Sequence, residues 1–270
     1  RNAAKTAAMS NRLVVLTFAV LAFALAADWL LERTEAPLLT APRNEPDIYM
    51  VDAYIDQYAD TGELQRQIHA KRFTHYPATD HVALVKPTFL FKRAGGEDGW
   101  EISSAEGRIL PATDATEEII QLQDQVVAES YGEQPVHINA DAARLDEGTG
   151  TSVYQGNVVI VQGSLQVTAD EVEVQSADEE VTQIVARAGG DGLAHYEQQT
   201  SESGDMVYAD ARQITYLVRE EQLHLAGQAR LQQAEDVFSG ELLRYDISQK
   251  TVKMAGDAPG ERISITRKQK

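Results

Sequence analysis

Residues 154–174, YQGNVVIVQGSLQVTADEVEV, constrain the fold more than any other stretch. The apolar run Val158, Val159, Ile160, Val161 ends at Gln162-Gly163. Leu165, Val167 and Ala169 then alternate with Ser164, Gln166 and Thr168. Strand side chains point to opposite faces with period 2, so this spells two antiparallel strands joined by a tight glycine turn. After Ala169-Asp170 the apolar phase slips by one, to Val172 and Val174. Such a slip predicts a bend or bulge where the strand turns a corner.

The same device recurs. A small residue followed by a charged one stands at Ala70-Lys71, Ala105-Glu106, Ala140-Asp141, Ala169-Asp170, Ala209-Asp210 and Gly240-Glu241. The intervals are about 30 to 40 residues, within the range of stacked repeats. Between these anchors run short alternating segments broken by Gly, Pro, Asp and Asn, among them Leu64, Arg66, Ile68; Ile120, Leu122; and Leu223, Leu225. Many short strands with little helical periodicity predict an all-β fold. One hairpin cannot cover its own apolar face, so neighbours must stack to share an interior.

The N-terminal region differs. Arg1, Lys5 and Arg12 precede a largely apolar stretch over residues 13–31 whose one charge is Asp28. It is about as long as the ~20 residues that span a bilayer. The basic flank places residues 1–12 in the cytoplasm and exports the rest. An uncleaved anchor is the preferred expectation; the rival is a signal peptide cut after Ala24-Leu25-Ala26. Residues 32–46, with Pro37, Pro42 and Pro46, read as an extended linker.

The net charge of -18 argues against binding a phosphate backbone. There is no cysteine, and no nucleophile elbow, P-loop, dinucleotide fingerprint or H-E-x-x-H occurs. His69, His75 and His81 are six apart, which along a strand is about 20 Å per interval, too far to share one ion. No catalytic group, metal or cofactor is expected. The basic run from Arg262 to Lys270 reads as a solvated tail.

Two resemblances follow from longer motifs. QPVHINADAARLD, YQGNVVIVQGSLQVTADEVEV, VYADARQITY, LHLAGQARLQQ and FSGELLRYD, in that order, resemble the periplasmic lipopolysaccharide-transport bridge family LptA. The anchor-like stretch, PDIYMVDAYIDQYADTGELQRQIHAKRFTHYP, KPTFLF and GWEISSAEGRIL resemble the inner-membrane family LptC, up to about Val127. The chain is therefore similar to a shortened LptC-like half continued by an LptA-like half. The resemblance implies two in-line open β-jellyrolls, over 47–131 and 132–256, behind one transmembrane helix and ahead of a C-terminal tail over 257–270.

It also implies a non-enzymatic lipid conduit in the periplasm, anchored in the inner membrane. Its apolar groove would shield the acyl chains of lipopolysaccharide between an ABC transporter of LptB/LptF/LptG type and a further LptA-like unit or an LptD-type translocon. The expected groove lining is Ile68, Phe73, Leu84, Phe89 and Phe91 in the first half. In the second it is Val136, Ile138, Ile160, Val167, Tyr196, Ile214, Tyr216, Leu223, Leu225 and Phe238. Family positions matching Val136, His195 and Leu225 lie near the lipid, although His195 stands where the family has an aromatic. The alternative is an anchored β-sandwich scaffold that binds protein partners by edge-strand pairing, without lipid.

Overall fold

The computed structural model describes residues 45–93, 98–113, 116–177, 180–199, 204–254 and 264–267. The expected cytoplasmic segment 1–12, the anchor 13–31 and nearly all of the linker 32–46 lie outside them. No helix among the described residues is long and apolar enough to cross a membrane.

The described residues are all strand and connection. In chain order the strands are β1 (Ile48–Tyr58), β2 (Leu64–Tyr76), β3 (His81–Lys92), β4 (Asp98–Ser103), β5 (Glu106–Leu110) and β6 (Ile119–Ser130). Next come β7 (Val136–Asp146), β8 (Thr151–Gln162), β9 (Leu165–Ala177), β10 (Glu180–Arg187), β11 (Ala194–Gln199) and β12 (Met206–Ala211). The last are β13 (Gln213–Leu217), β14 (Gln222–Gln233), β15 (Asp236–Asp246), β16 (Thr251–Met254) and β17 (Ser264–Arg267).

Every pairing is antiparallel, and most strands pair in two sections separated by a corner. β6 shows the plan. Its residues 119–123 pair with β5 and its residues 127–130 with β4. On β9, residues 171–177 pair with β10 and residues 166–168 with β11. Two continuous ladders result, facing each other across one interior. The first ladder runs through β4, β11, β12 and β17, the second through β5, β10, β13 and β16. Both cross the 131–135 connection without interruption, because β6 and β7 pair on either side of their corner. The described residues form one compact unit.

The corners explain the phase slip. In β2, β7, β9 and β15 the inward positions run apolar, small, then three residues on to the next apolar: Ile68-Ala70-Phe73, Ile138-Ala140-Ala143, Val167-Ala169-Val172 and Phe238-Gly240-Leu243. The partner strands take the corner differently. β6, β8 and β14 each pass it through two left-handed residues, Asp124-Gln125, Gly156-Asn157 and Gly227-Gln228. Two residues on one strand therefore oppose one on the next, as at Gln155/Val158 against Glu171/Ala169. That mismatch is a bulge, which bends the pair and sharpens its twist.

Asp141, Asp170 and Glu241 each hydrogen-bond to a residue where the neighbouring strand bends or ends. Asn157 Nδ2 donates to Asp141 Oδ2 at 2.8 Å. A Cβ at Gly156, with φ of 76°, would stand 2.4 Å from the same oxygen, so only glycine fits. The N–H of Gly189 donates to Asp170 Oδ2 at 2.5 Å. Bends strip backbone groups of ladder partners, and a carboxylate beside the bend replaces them.

Two expectations are corrected. Ala209-Asp210 is not a corner but the middle of β12; the turn from β12 to β13 comes two residues later, at Ala211-Arg212, where the Arg212 N–H donates to the Gly227 carbonyl at 2.8 Å. Nor is the C-terminal run solely a tail, because β17 pairs with the first half of β15.

Candidate functional site

The apolar interior is the one feature that strands β1 to β16 all help to build. A single cluster extends from Ile68 on β2 to Tyr245 on β15, with no break between residues 128 and 138. Every expected groove residue belongs to it, except His195. Ile68, Phe73, Leu84, Phe89, Ile138, Ile160, Val167, Tyr196, Ile214, Leu223 and Leu225 are buried. Phe91, Val136, Tyr216 and Phe238 are partly buried and pack against them.

His195 faces the other way. Its neighbours Ala194 and Tyr196 point inward, and by the two-residue period the imidazole lies on the outer surface. There Nδ1 sits 2.7 Å from Asp210 Oδ1, and the ring stacks on Tyr208. The expectation that residue 195 lies near lipid is corrected: the resemblance transferred a position whose neighbour, Tyr196, is the inward one. Other inward residues escaped notice, among them Ile102, Tyr154, Leu231, Leu243 and Tyr245. Alternation in L-L-R-Y-D pointed to Leu243 and Tyr245; Ile102 lies beside an irregular corner and had no such signal.

Away from the corners, toward the mouth between the two ladders, the interior keeps cavities. A cavity of ≈ 300 Å³ lies there between Phe91, Trp100 and Ile102 of the first ladder and Leu145, Tyr154, Val174 and Val181 of the second. A second, of ≈ 620 Å³, lies farther along. Its lining includes Gln134, Gln162, Ser164 and Gln198 on one side and Tyr216, Ser248 and Lys250 on the other. Tyr196 reaches this second cavity and donates its hydroxyl to Gln198 Oε1 at 2.5 Å. Burial pushes the Tyr154 and Tyr196 phenols well above their ordinary pKa, so both stay neutral at any physiological pH.

One charged group intrudes on the apolar face. Arg66 of β2 points inward and is 4% exposed. Nη2 lies 2.6 Å from Gln57 Oε1 and 2.6 Å from Glu118 Oε1, and Nη1 pairs with Glu147. The guanidinium also lies 5.9 Å from the Phe91 ring centre. Burial raises the Glu147 carboxyl above its usual range, and the Arg66 charge opposes that shift.

The histidines spaced by six do not converge. His69 meets Asp52 and stacks on Tyr54, His75 meets Asp47 and Asp80, and His81 meets Thr79 and stacks on Tyr76. No cluster of three potential metal ligands exists among the described residues.

Comparison with known proteins follows this architecture. Residues 15–184 match the model of the family "Lipopolysaccharide-assembly, LptC-related", and residues 137–251 match "LptA/(LptD N-terminal domain) LPS transport protein". The first match runs past Val127, so strands β7 to β9 and most of β10 satisfy both families. Lipopolysaccharide export system protein LptH of Pseudomonas aeruginosa is 33% identical over 50% of this chain and 75% of its own length. Protein LptA of Escherichia coli K12 is 28% identical over 49% of this chain and 70% of its own. The crystal structure of LptH covers 51% of this chain and 97% of that one, with 29% identity and a TM-score of 0.46. The chain belongs to the LptC-related lipopolysaccharide-assembly family over its first two-thirds, and to the LptA/LptH family of lipopolysaccharide export proteins over its second half.

Proposed function

We propose that this chain is a non-enzymatic periplasmic bridge whose interior shields lipopolysaccharide acyl chains on their way from the inner membrane to the outer. The observation that carries the reading is the single apolar interior, which continues without a break through strands matched by both families. Acyl chains cannot cross water alone: each exposed CH2 costs about 0.8 kcal/mol, so whole chains cost tens. An uninterrupted apolar track removes most of that barrier, and transport then needs only weak, repeated contacts. On this reading segments 47–131 and 132–256 are two in-line jellyrolls that share one track. Their lining is the set of inward residues from Ile68 to Phe238.

Residues 13–31 act as a single-pass inner-membrane anchor with a cytoplasmic N-terminus. An ABC transporter of LptB/LptF/LptG type meets the β1 end and supplies the push. A further LptA-like unit or an LptD-type translocon meets the β16/β17 end. A second reading, a scaffold that binds protein partners by edge pairing without lipid, draws on β1. That edge strand exposes Ile48, Tyr49, Val51, Tyr54 and Tyr58, and unpaired strand edges are templates for another strand.

Photocrosslinking separates the two. A photoreactive residue at Phe89 or Leu225, in vesicles carrying the transporter and ATP, captures lipopolysaccharide if the interior is the track. Capture of protein at β1, with no lipid at Phe89 or Leu225, leaves only the scaffold.

A further inference from the structure

The interior as it stands is closed. Phe89, Leu223 and Leu225 are essentially out of contact with water, so lipid reaches them only if the ladders part at the mouth. What holds the mouth is not uniform along its length, and Arg66 is the group that sets one stretch of it apart.

Arg66 belongs to the first ladder, next to the hairpin joining β1 to β2. Its two carboxylates belong to the second: Glu118 precedes β6 and Glu147 follows β7. The three are distant in sequence and meet only because the two ladders face each other. Phe91 and Glu147, both in contact with Arg66, also line the smaller, apolar cavity. The ion cluster therefore spans the mouth beside that cavity.

Its chemistry suits a contact that opens. Removing a guanidinium from water is costly unless its hydrogen bonds are all made. Here they are not. Arg66 Nε has no hydrogen-bond partner, and Glu118 Oε1, though 2.6 Å from Nη2, is not aligned for a hydrogen bond. Glu147 is 41% exposed, so water stands ready to solvate the separated charges. A cluster built only for stability is replaceable by apolar side chains of similar volume, often with gain. On the proposed reading of the interior as a lipid track, we propose that Arg66, Glu118 and Glu147 form an ionic clasp that must release for the track to open beside the smaller cavity.

The chain has no cysteine, so two can be placed alone. Exposed Glu63 and Thr149 lie in the hairpins on either side of the clasp, and Glu63→Cys with Thr149→Cys takes nitroxide labels. The expected result is a narrow distance distribution in the otherwise unchanged chain. It becomes longer and broader when Arg66→Met, Glu118→Gln and Glu147→Gln are added. An unchanged distribution in that variant overturns the clasp. If the triple variant loses its cooperative melt, Glu147→Gln alone carries the test and must still broaden the distribution.

The same cysteines, bridged by a short bis-maleimide, hold the mouth shut. Capture of lipopolysaccharide by a photoreactive residue at Phe89 should then fall at least fivefold relative to the unbridged chain; equal capture overturns the clasp. Absence of capture in the unbridged chain sinks the lipid-track reading instead, and the label distances still decide the clasp.

Discussion

The two cavities along the mouth are built from opposite materials. Beside the smaller one an arginine reaches across to two carboxylates, and the lining itself is mostly apolar. Around the larger one the groups are mainly neutral: amides at Gln134, Gln162 and Gln198, hydroxyls at Ser164, Ser248 and Tyr216. Opposite charges attract over several ångströms and draw the ladders together. Amides and hydroxyls exchange partners with water at small net cost. The difference teaches that a continuous interior can have a discontinuous mouth, bridged by charge in the LptC-matched part and mainly neutral toward the C-terminal end.

The largest effect expected from breaking this contrast follows Arg66→Ala. It removes the cation and leaves Glu118 and Glu147 facing each other without compensation. Breaking a buried pair costs 3–5 kcal/mol, and the partial exposure of Glu147 favours the lower end, about 3 kcal/mol. Urea unfolding of the variant measures it. Arg66→Met with both glutamates changed to Gln should recover most of the loss, and a variant as unstable as Arg66→Ala would show that packing, not charge, is what Arg66 supplies.

A smaller effect is expected at the strand that serves both cavities. β8 lines the first with Ser152 and Tyr154 and the second with Gln162, and it turns between them at Gly156. Gly156→Ala places a methyl against Asp141 in a left-handed backbone, at about 2 kcal/mol from strain and clash together. Asp141→Ala should relieve the clash but not the left-handed backbone strain, so the double variant is predicted to be only partly rescued. Thermal melts of the three chains decide.

The mainly neutral mouth should respond least to side-chain loss. Tyr196→Phe deletes the hydroxyl that Gln198 accepts while keeping the ring in the interior. The expected cost is about 1 kcal/mol by urea unfolding, the net worth of an ordinary hydrogen bond. A loss near that of Arg66→Ala would erase the contrast between the two mouths.

Much of this was legible before any coordinates. Period 2 placed the inward residues, because a strand has only two faces and one of them must be apolar. The small-plus-charged pair marked Ala70, Ala140, Ala169 and Gly240 as corners, since a bend admits little side chain. Three things were not legible. Asp124-Gln125 and Gln228 adopt left-handed backbones without a glycine at each position, so composition did not betray them. Arg66 sits in phase with Leu64 and Ile68, yet an arginine at such a position reads as a solvated exception. Its burial depends on Glu118 and Glu147, which no local pattern connects to it. His195 was misplaced by the reverse error, in which a family position overrode the alternation that puts Tyr196 inside.

The smallest predicted effect concerns pH at the outer surface of the clasp end. His75 faces two carboxylate acceptors, Asp47 Oδ1 at 2.6 Å from Nδ1 and Asp80 Oδ1 at 3.4 Å from Nε2. The Asp47 hydrogen bond raises the His75 pKa above 6.5, with Asp80 adding to it and desolvation opposing. A raised histidine pKa stabilises the fold fully below the unfolded value, and that contribution is lost as pH rises through the folded one. The nearby His81 runs the other way: burial lowers its pKa, so its contribution is lost as pH falls through its lowered folded value. Together they place the tightest anchoring of the N-terminal end of β1 near the ordinary histidine value. Asp47 is also held by its backbone N–H to the His75 carbonyl at 3.2 Å, so the strand loosens rather than detaches. Amide exchange at Tyr49 and Val51 should therefore quicken, beyond its intrinsic base dependence, as pH is raised above the His75 pKa. His75→Gln should abolish that excess; its persistence in the variant would rule out His75 as the cause. Because the site is exposed, the change should leave global unfolding and the Glu63–Thr149 label distance unmoved, which separates anchoring of the edge strand from the state of the mouth.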